Sequence, residues 1–120
     1  MSNIQPSLKD ALTVNGSLVA AVVDATSGLL LGSEGSGVDI ELAAAGNTEV
    51  VRAKLATMKS LKLNDVIEDI LITLGRQYHI IRPLAKSKGA IFLYLVLDKS
   101  KANLALARRK LQEIEETIEL

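Results

Sequence analysis

Three places in this 120-residue chain carry residue types whose spacing could do chemistry: a glycine-rich loop, a lone histidine and clusters of acid. Gly32-Ser33-Glu34-Gly35-Ser36-Gly37 sits between a strand-like run and a helix-like run, where phosphate-binding loops sit. Its glycines are spaced G-x-x-G-x-G, however, and no Gly-Lys-Ser/Thr follows. Glu34 would also repel a phosphate. The loop therefore reads as a flexible connector, with Asp39 as the N-cap candidate of the helix behind it. His79 is the single histidine and there is no cysteine, so a histidine-based metal site has too few ligands. With no companion nucleophile, His79 is expected to be a partly buried structural residue.

The acids fare no better as a site. Glu68-Asp69 and Glu113, Glu115 and Glu116 invite a divalent cation, but no Asp-x-Asp-x-Asp-Gly loop exists to build a calcium hand. They read as a solvated surface. One detail stands apart. Glu115, Glu116 and Glu119 crowd the C-terminal end of a helix, where the macrodipole disfavours anions, and such locally unfavourable charge can mark a partner surface. The expectation is no catalytic residue, no metal ligand and no cofactor.

Composition narrows the partners. Formal net charge is zero and the sequence pI is about 6.6, which leaves no basic field for nucleic acid or anionic lipid. Only Tyr78, Phe92 and Tyr94 are aromatic, which argues against base stacking. Apolar residues make up 48% and charged residues 23%, and the mean hydropathy of +0.27 is high for so short a chain. Part of the apolar surface is therefore expected to be buried against a partner. The longest purely apolar run, Ala90 to Leu97, is eight residues, against about 20 needed to span a membrane. The N-terminus has neither a basic start nor an apolar stretch, so it does not read as a signal peptide. A cytoplasmic protein is expected, which the absence of cysteine suits. At this length, residues 1–120 read as one domain.

The elements that must position these residues follow from periodicity. A short helix is predicted from about Pro6 to Val14, with Ile4, Leu8 and Leu12 on one face. Ser17 to Asp24 is apolar at every central position, as in a strand covered on both faces. Turn residues 25–28 and Leu29-Leu30-Leu31 complete a hairpin. Asp39 to about Leu61 carries the helical period through Ile40, Ala44, Val51, Leu55 and Met58. Gly46 inside it costs about 1 kcal/mol relative to alanine, which close packing against another helix would offset. Three strands follow, about Val66 to Leu74, Gln77 to Pro83 and Ala90 to Leu97, the last placed centrally beside the first strand of the protein. A helix from about Lys101 to Ile118 ends the chain, striped by Leu104, Ala107, Leu111, Ile114 and Ile118. The fold class is thus α+β, with element order α-ββ-α-βββ-α. Short links make the five-stranded sheet antiparallel, with helices on both faces.

In this order several segments resemble the roadblock / dynein light-chain family. Gly16 to Asp24 followed by Ser27-Gly28-Leu29 is similar to its opening "G-x-x-(apolar run)-D-x-x-G" pattern. Leu95-Val96-Leu97-Asp98 and Ala102-Asn103-Leu104-Ala105-Leu106-Ala107-Arg108 resemble its closing "N-L-(G/A)-x-A-R". Two departures stand out: alanine at 105 where many relatives carry glycine, and Gly46-Asn47 inside a helix usually free of such residues. The resemblance implies a roadblock/profilin-like sheet whose third strand lies at an edge and pairs with its copy in a homodimer, the second helices packing across the two-fold axis. The bare sequence agrees, since Ile70-Leu71-Ile72-Thr73-Leu74 lacks the lysine or proline that usually blunts an edge. The dimer interface is expected at Ala44, Val51 and Leu55 of the helix and at Ile70, Leu71 and Ile72 of the strand.

The family's function, by the same resemblance, is to serve as a non-enzymatic platform for Ras-like small GTPases. A bacterial branch includes a GTPase-activating protein of the gliding-motility system, which reshapes the GTPase's own catalytic residues without an arginine finger. Arg76, at a hairpin tip, has the exposure of such a finger but is expected to be a turn residue. Two other readings stay open: a structural adaptor in a larger complex, and a PAS- or longin-like ligand-sensing module, which would need a pocket with convergent polar groups.

Overall fold

A computed structural model describes residues 2–120. The elements run α1 (Ile4–Ala11), β1 (Ser17–Asp24), β2 (Leu29–Gly35), α2 (Ile40–Ser60), β3 (Ile70–Thr73), β4 (Gln77–Pro83), β5 (Ile91–Asp98) and α3 (Leu104–Thr117), with a 3-10 turn at Ala85–Ser87 before β5. The strands form one antiparallel sheet in the order β2-β1-β5-β4-β3. The element order and class are those predicted, and β5 lies beside β1 as expected.

The unbroken apolar runs of β1 and β5 have the cause the sequence implied. Side chains alternate between faces along a strand. Val19, Ala21 and Val23 of β1 join Phe92, Tyr94 and Val96 of β5 beneath α2. Ala20 and Val22 join Leu93, Leu95 and Leu97 on the opposite face, beneath α1 and α3. Both helices that flank the chain's long runs start on side-chain caps: Asp39 accepts from Leu42 N–H at 3.2 Å, and Asn103 from Leu106 N–H at 3.2 Å.

Four boundaries differ from the sequence reading. Helix α1 spans Ile4–Ala11 instead of about 6–14; Pro6 still falls in its first turn, where no intrahelical N–H is needed. Strand β2 runs on to Gly35, so most of the supposed flexible connector is strand. Its glycines serve close approach. A Cβ on Gly32 would lie 2.7 Å from Gln5 Oε1 and 2.8 Å from Ile4 Cγ2 of the overlying α1. Gly35 has φ +90°, and a Cβ there would lie 2.2 Å from the Leu18 carbonyl oxygen. Strand β3 is only Ile70–Thr73, not 66–74. Its first partner on β4 is Ile81, and continuing the ladder would meet Arg82 and then Pro83, which has no N–H to give. Helix α3 begins at Leu104, behind its Asn103 cap, not at 101.

The two ends of the chain are tied together. Asn3 N–H donates to Glu119 O at 3.1 Å, its side-chain amide donates to Thr117 O at 2.9 Å, and Glu119 N–H donates back to Asn3 Oδ1 at 2.6 Å. Among the described residues, no helix is long and apolar enough to cross a membrane.

Candidate interaction face

Helices α1 and α3 cover their face of the sheet, and α2 covers only part of the other. It packs over β1 and β2, with Ala44, Thr48 and Val51 turned inward. Buried Thr48, which the periodicity did not single out, is accommodated because its hydroxyl donates to Ala44 O one turn back, at 2.8 Å. Beyond α2 the β4–β3 half of this face stays partly open, and Ile70, Ile72 and His79 are half-buried there. A groove of about 490 Å³ runs between the end of α2 and the segment leading into β3, lined by Val50, Met58, Leu63, Val66 and Ile70, with Lys54 at its side. Val66 on its wall is 76% exposed and Leu55, in the same half of α2, is 37% exposed, while Leu42 stands 70% exposed at the other end of the helix. Strand β3 is the last of the sheet, with no described strand beyond it.

The six residues expected at a dimer interface divide three ways. Ala44 and Val51 lie inside the subunit's own core, 1% and 0% exposed. Leu71 is half-buried on the α1/α3 face. Leu55, Ile70 and Ile72 look onto or border the open half beside α2. Gly46 has nothing within 4 Å of where its Cβ would stand, so no contact inside the subunit offsets its cost.

A short polar chain crosses this otherwise apolar face. The Tyr94 hydroxyl lies 2.8 Å from His79 Nδ1, and His79 Nε2 lies 2.9 Å from Gln77 Oε1. The two rings meet edge to face with centroids 5.6 Å apart. His79 is partly buried, as the sequence implied, and burial pushes its pKa below the ordinary imidazole value. Burial raises the Tyr94 phenol, against which a hydrogen bond from the Asn47 side chain works in the opposite direction.

The acids correct the sequence reading in two places. Glu115 does not belong to a freely solvated surface: it accepts from Arg82 Nε at 2.6 Å and from Ala85 N–H at 2.7 Å. Asp69 receives Arg108 through two nitrogens, at 2.9 and 3.2 Å. Their partners lie 33 and 39 residues away, beyond the reach of local patterning. Glu116 is exposed as expected. Arg76 sits exposed at the β3–β4 link, where its carbonyl accepts from Lys99 N–H at 3.0 Å. No group of three or more His, Asp or Glu gathers to hold a metal ion among the described residues.

No protein-family model matches this sequence, and no curated protein matches it. Solved structures do. A Roadblock/LC7 domain from Streptomyces avermitilis superposes with a TM-score of 0.83 over 97% of this chain and 94% of that one, at 10% identity. MglB of Myxococcus xanthus superposes at 0.75, with 18% identity over 94% and 85% of the two chains. The gliding protein MglB of Thermus thermophilus gives 0.71, with 19% identity over 92% and 87%. At these identities the likeness speaks for the fold, and it agrees with the strand order and the placement of all three helices. The chain is built on the roadblock fold.

Proposed function

We propose that this protein is a homodimeric, non-enzymatic platform that binds a Ras-like small GTPase and modulates its hydrolysis or nucleotide state. The observation that carries this reading is the open half of the α2 face beside an unpaired β3 edge. Two copies joined edge to edge at β3 would continue one sheet and bring their α2 helices together over Ile70, Ile72 and Leu55. That would bury apolar surface the single subunit leaves wet, at about 25 cal/mol per Å², and would give Gly46 the close helix neighbour it lacks. The likeness to MglB structures supports the choice of partner class.

The platform contributes no reacting group. Its role would be to hold the GTPase's own switch segments in a hydrolysing arrangement, so that the gain comes from positioning. The test is single-turnover GTP hydrolysis by a small GTPase of the same genome, with and without the purified protein. Saturable acceleration is expected, and Arg76→Ala should keep nearly all of it, whereas loss of an arginine finger would cost about a thousandfold or more. Firm binding without acceleration would make the protein an adaptor; neither binding nor acceleration overturns the proposal.

A further inference from the structure

Strand β3 turns into β4 at Gly75-Arg76, where Leu74 N–H donates to Gln77 O at 2.9 Å. The ladder continues with Thr73 opposite Tyr78, Ile72 opposite His79, Leu71 opposite Ile80 and Ile70 opposite Ile81. Hydrogen-bonded and non-hydrogen-bonded pairs alternate along an antiparallel ladder, so Leu74, Ile72 and Ile70 turn their backbone groups toward β4. The N–H and C=O of Leu71 and Thr73 therefore point the other way, to the open edge. Side chains alternate as well: Ile70 and Ile72 pack on the α2 face and Leu71 on the α1/α3 face. These two alternations restrict how a second copy can join.

Two β3 strands that pair antiparallel with both α2 helices on one side must set residues of the same face opposite each other. Even positions then meet even and odd meet odd, so the two-fold axis passes through one residue's own pair. Such registers centre on Ile70, Leu71, Ile72 or Thr73, and their cross-strand rows differ. Centring on Ile70 sets Glu68 opposite the partner's Ile72. Centring on Leu71 sets Glu68 opposite the partner's Leu74, and centring on Thr73 sets Arg76 opposite the partner's Ile70. Each leaves a charge facing an apolar side chain. Centring on Ile72 does not: Ile72 meets the partner's Ile72, Ile70 meets its Leu74, Leu71 meets its Thr73 and Glu68 meets its Arg76. We propose that the partner at this edge is a second copy of the chain in this one register, with Glu68 and the partner's Arg76 forming an ion pair at each end of the joint. The register rests on the homodimeric platform reading above and defines how its two halves meet.

The residues of this register are available. Glu68 and Arg76 are exposed, and neither enters an ion pair among the described residues. Leu74 is 45% exposed, and Ile70 and Ile72 are half-buried on the side left open by α2. Both Leu71–Thr73 pairs would be hydrogen-bonded through the outward-pointing groups of residues already in strand conformation. Centring on Leu71 would instead need Asp69, which lies outside β3 with its carboxylate held by Arg108. Val96, His79 and Ile72 already stand in one row across the sheet, and the axis continues that row into the second copy. Exposed ion pairs at its two ends select the register more than they add affinity, so loss of Arg76 leaves the joint in place.

The chain has no cysteine, so single cysteine substitutions report the register without background. At a non-hydrogen-bonded antiparallel pair the Cα atoms lie about 4.5 Å apart, within disulfide reach. Ile72→Cys should therefore oxidise to a covalent dimer. Ile70→Cys alone and Leu74→Cys alone should not, because each position would stand about 13 Å out of line with its own copy. Mixed together, these two variants should form the mixed disulfide, a result that holds even where Ile72→Cys fails to fold. Glu68→Arg should weaken self-association in sedimentation by about threefold or more, and adding Arg76→Glu should restore it. Crosslinking at Ile70→Cys or Leu71→Cys in place of Ile72→Cys overturns the register and keeps the dimer. A sedimenting dimer that crosslinks at no β3 position overturns pairing at this edge, and a monomer throughout overturns the homodimer of the platform reading as well.

Discussion

The two faces of the sheet are built from equally apolar strands, yet they are finished differently. On the α1/α3 face, Leu93, Leu95 and Leu97 are fully roofed, and ion pairs close the rim: Arg82–Glu115, Arg108–Asp69 and Lys110–Asp10 tie α3 to β4, to the segment leading into β3 and to α1. On the α2 face one helix roofs half the strands, and among the described residues no charged side chain of α2 enters an ion pair. What holds α2 down is apolar contact and an Arg52 hydrogen bond to Thr26 O. A face sealed by several tethers to fixed partners suits a scaffold. A face left half-roofed, with Leu42 and Leu55 free, suits exchange of one neighbour for another.

The comparison can be broken by mutation. Leu95→Ala, on the sealed face, should lower subunit stability by about 2–5 kcal/mol, read from urea unfolding. Ile72→Glu, on the open face, should cost the isolated subunit clearly less while abolishing self-association in sedimentation. Equal losses for the two would erase the distinction between faces. Arg82→Ala should fall between, at about 1–3 kcal/mol, because it strips a largely buried Glu115 of its cation. Removing either helix cap, by Asp39→Ala or Asn103→Ala, should cost about 1 kcal/mol each. Arg108→Ala, whose side chain is 44% exposed, should cost under about 1 kcal/mol in the same assay.

Acid sharpens the contrast in a different way. The folded protein holds the His79 pKa below its unfolded value of about 6.5, so the native state binds fewer protons than the unfolded chain wherever the two differ. Stability from this group should be complete above about 6.5, fall as pH drops from there to the folded pKa, and level off below it. Urea midpoints of the parent and of His79→Phe across this range should show the slope in the first and not in the second.

How far the sequence could be read follows the same divide. Strands β1 and β4 and the Asp39 start of α2 were legible because alternation, turns and caps are local. The place of β3 at an edge was as expected, but its extent was not legible. Val66-Ile67 reads as strand by composition, but whether a strand forms depends on a partner, and Pro83 withholds one. Gly32 and Gly35 read as flexibility because composition alone cannot distinguish a loose loop from a strand pressed against a helix. Of the candidate interface residues, the helical period grouped Ala44 and Val51 with Leu55 without telling an inward position from a bordering one. The Tyr94–His79–Gln77 chain runs between two paired strands, and no local pattern in the sequence marks it.

The stitching of Asn3 to residues 117–119 has a consequence for how the molecule can be handled. Both termini emerge with α1 and α3, on the sealed side of the sheet, so tags, fluorophores or a tether to a surface attached at either end leave α2 and β3 clear. The same proximity makes the backbone nearly a ring. A circular permutant joined across the old ends and reopened between Gly75 and Arg76 should still fold, and its new termini would emerge beside the β3 edge, where a fused probe would report directly on whatever docks there.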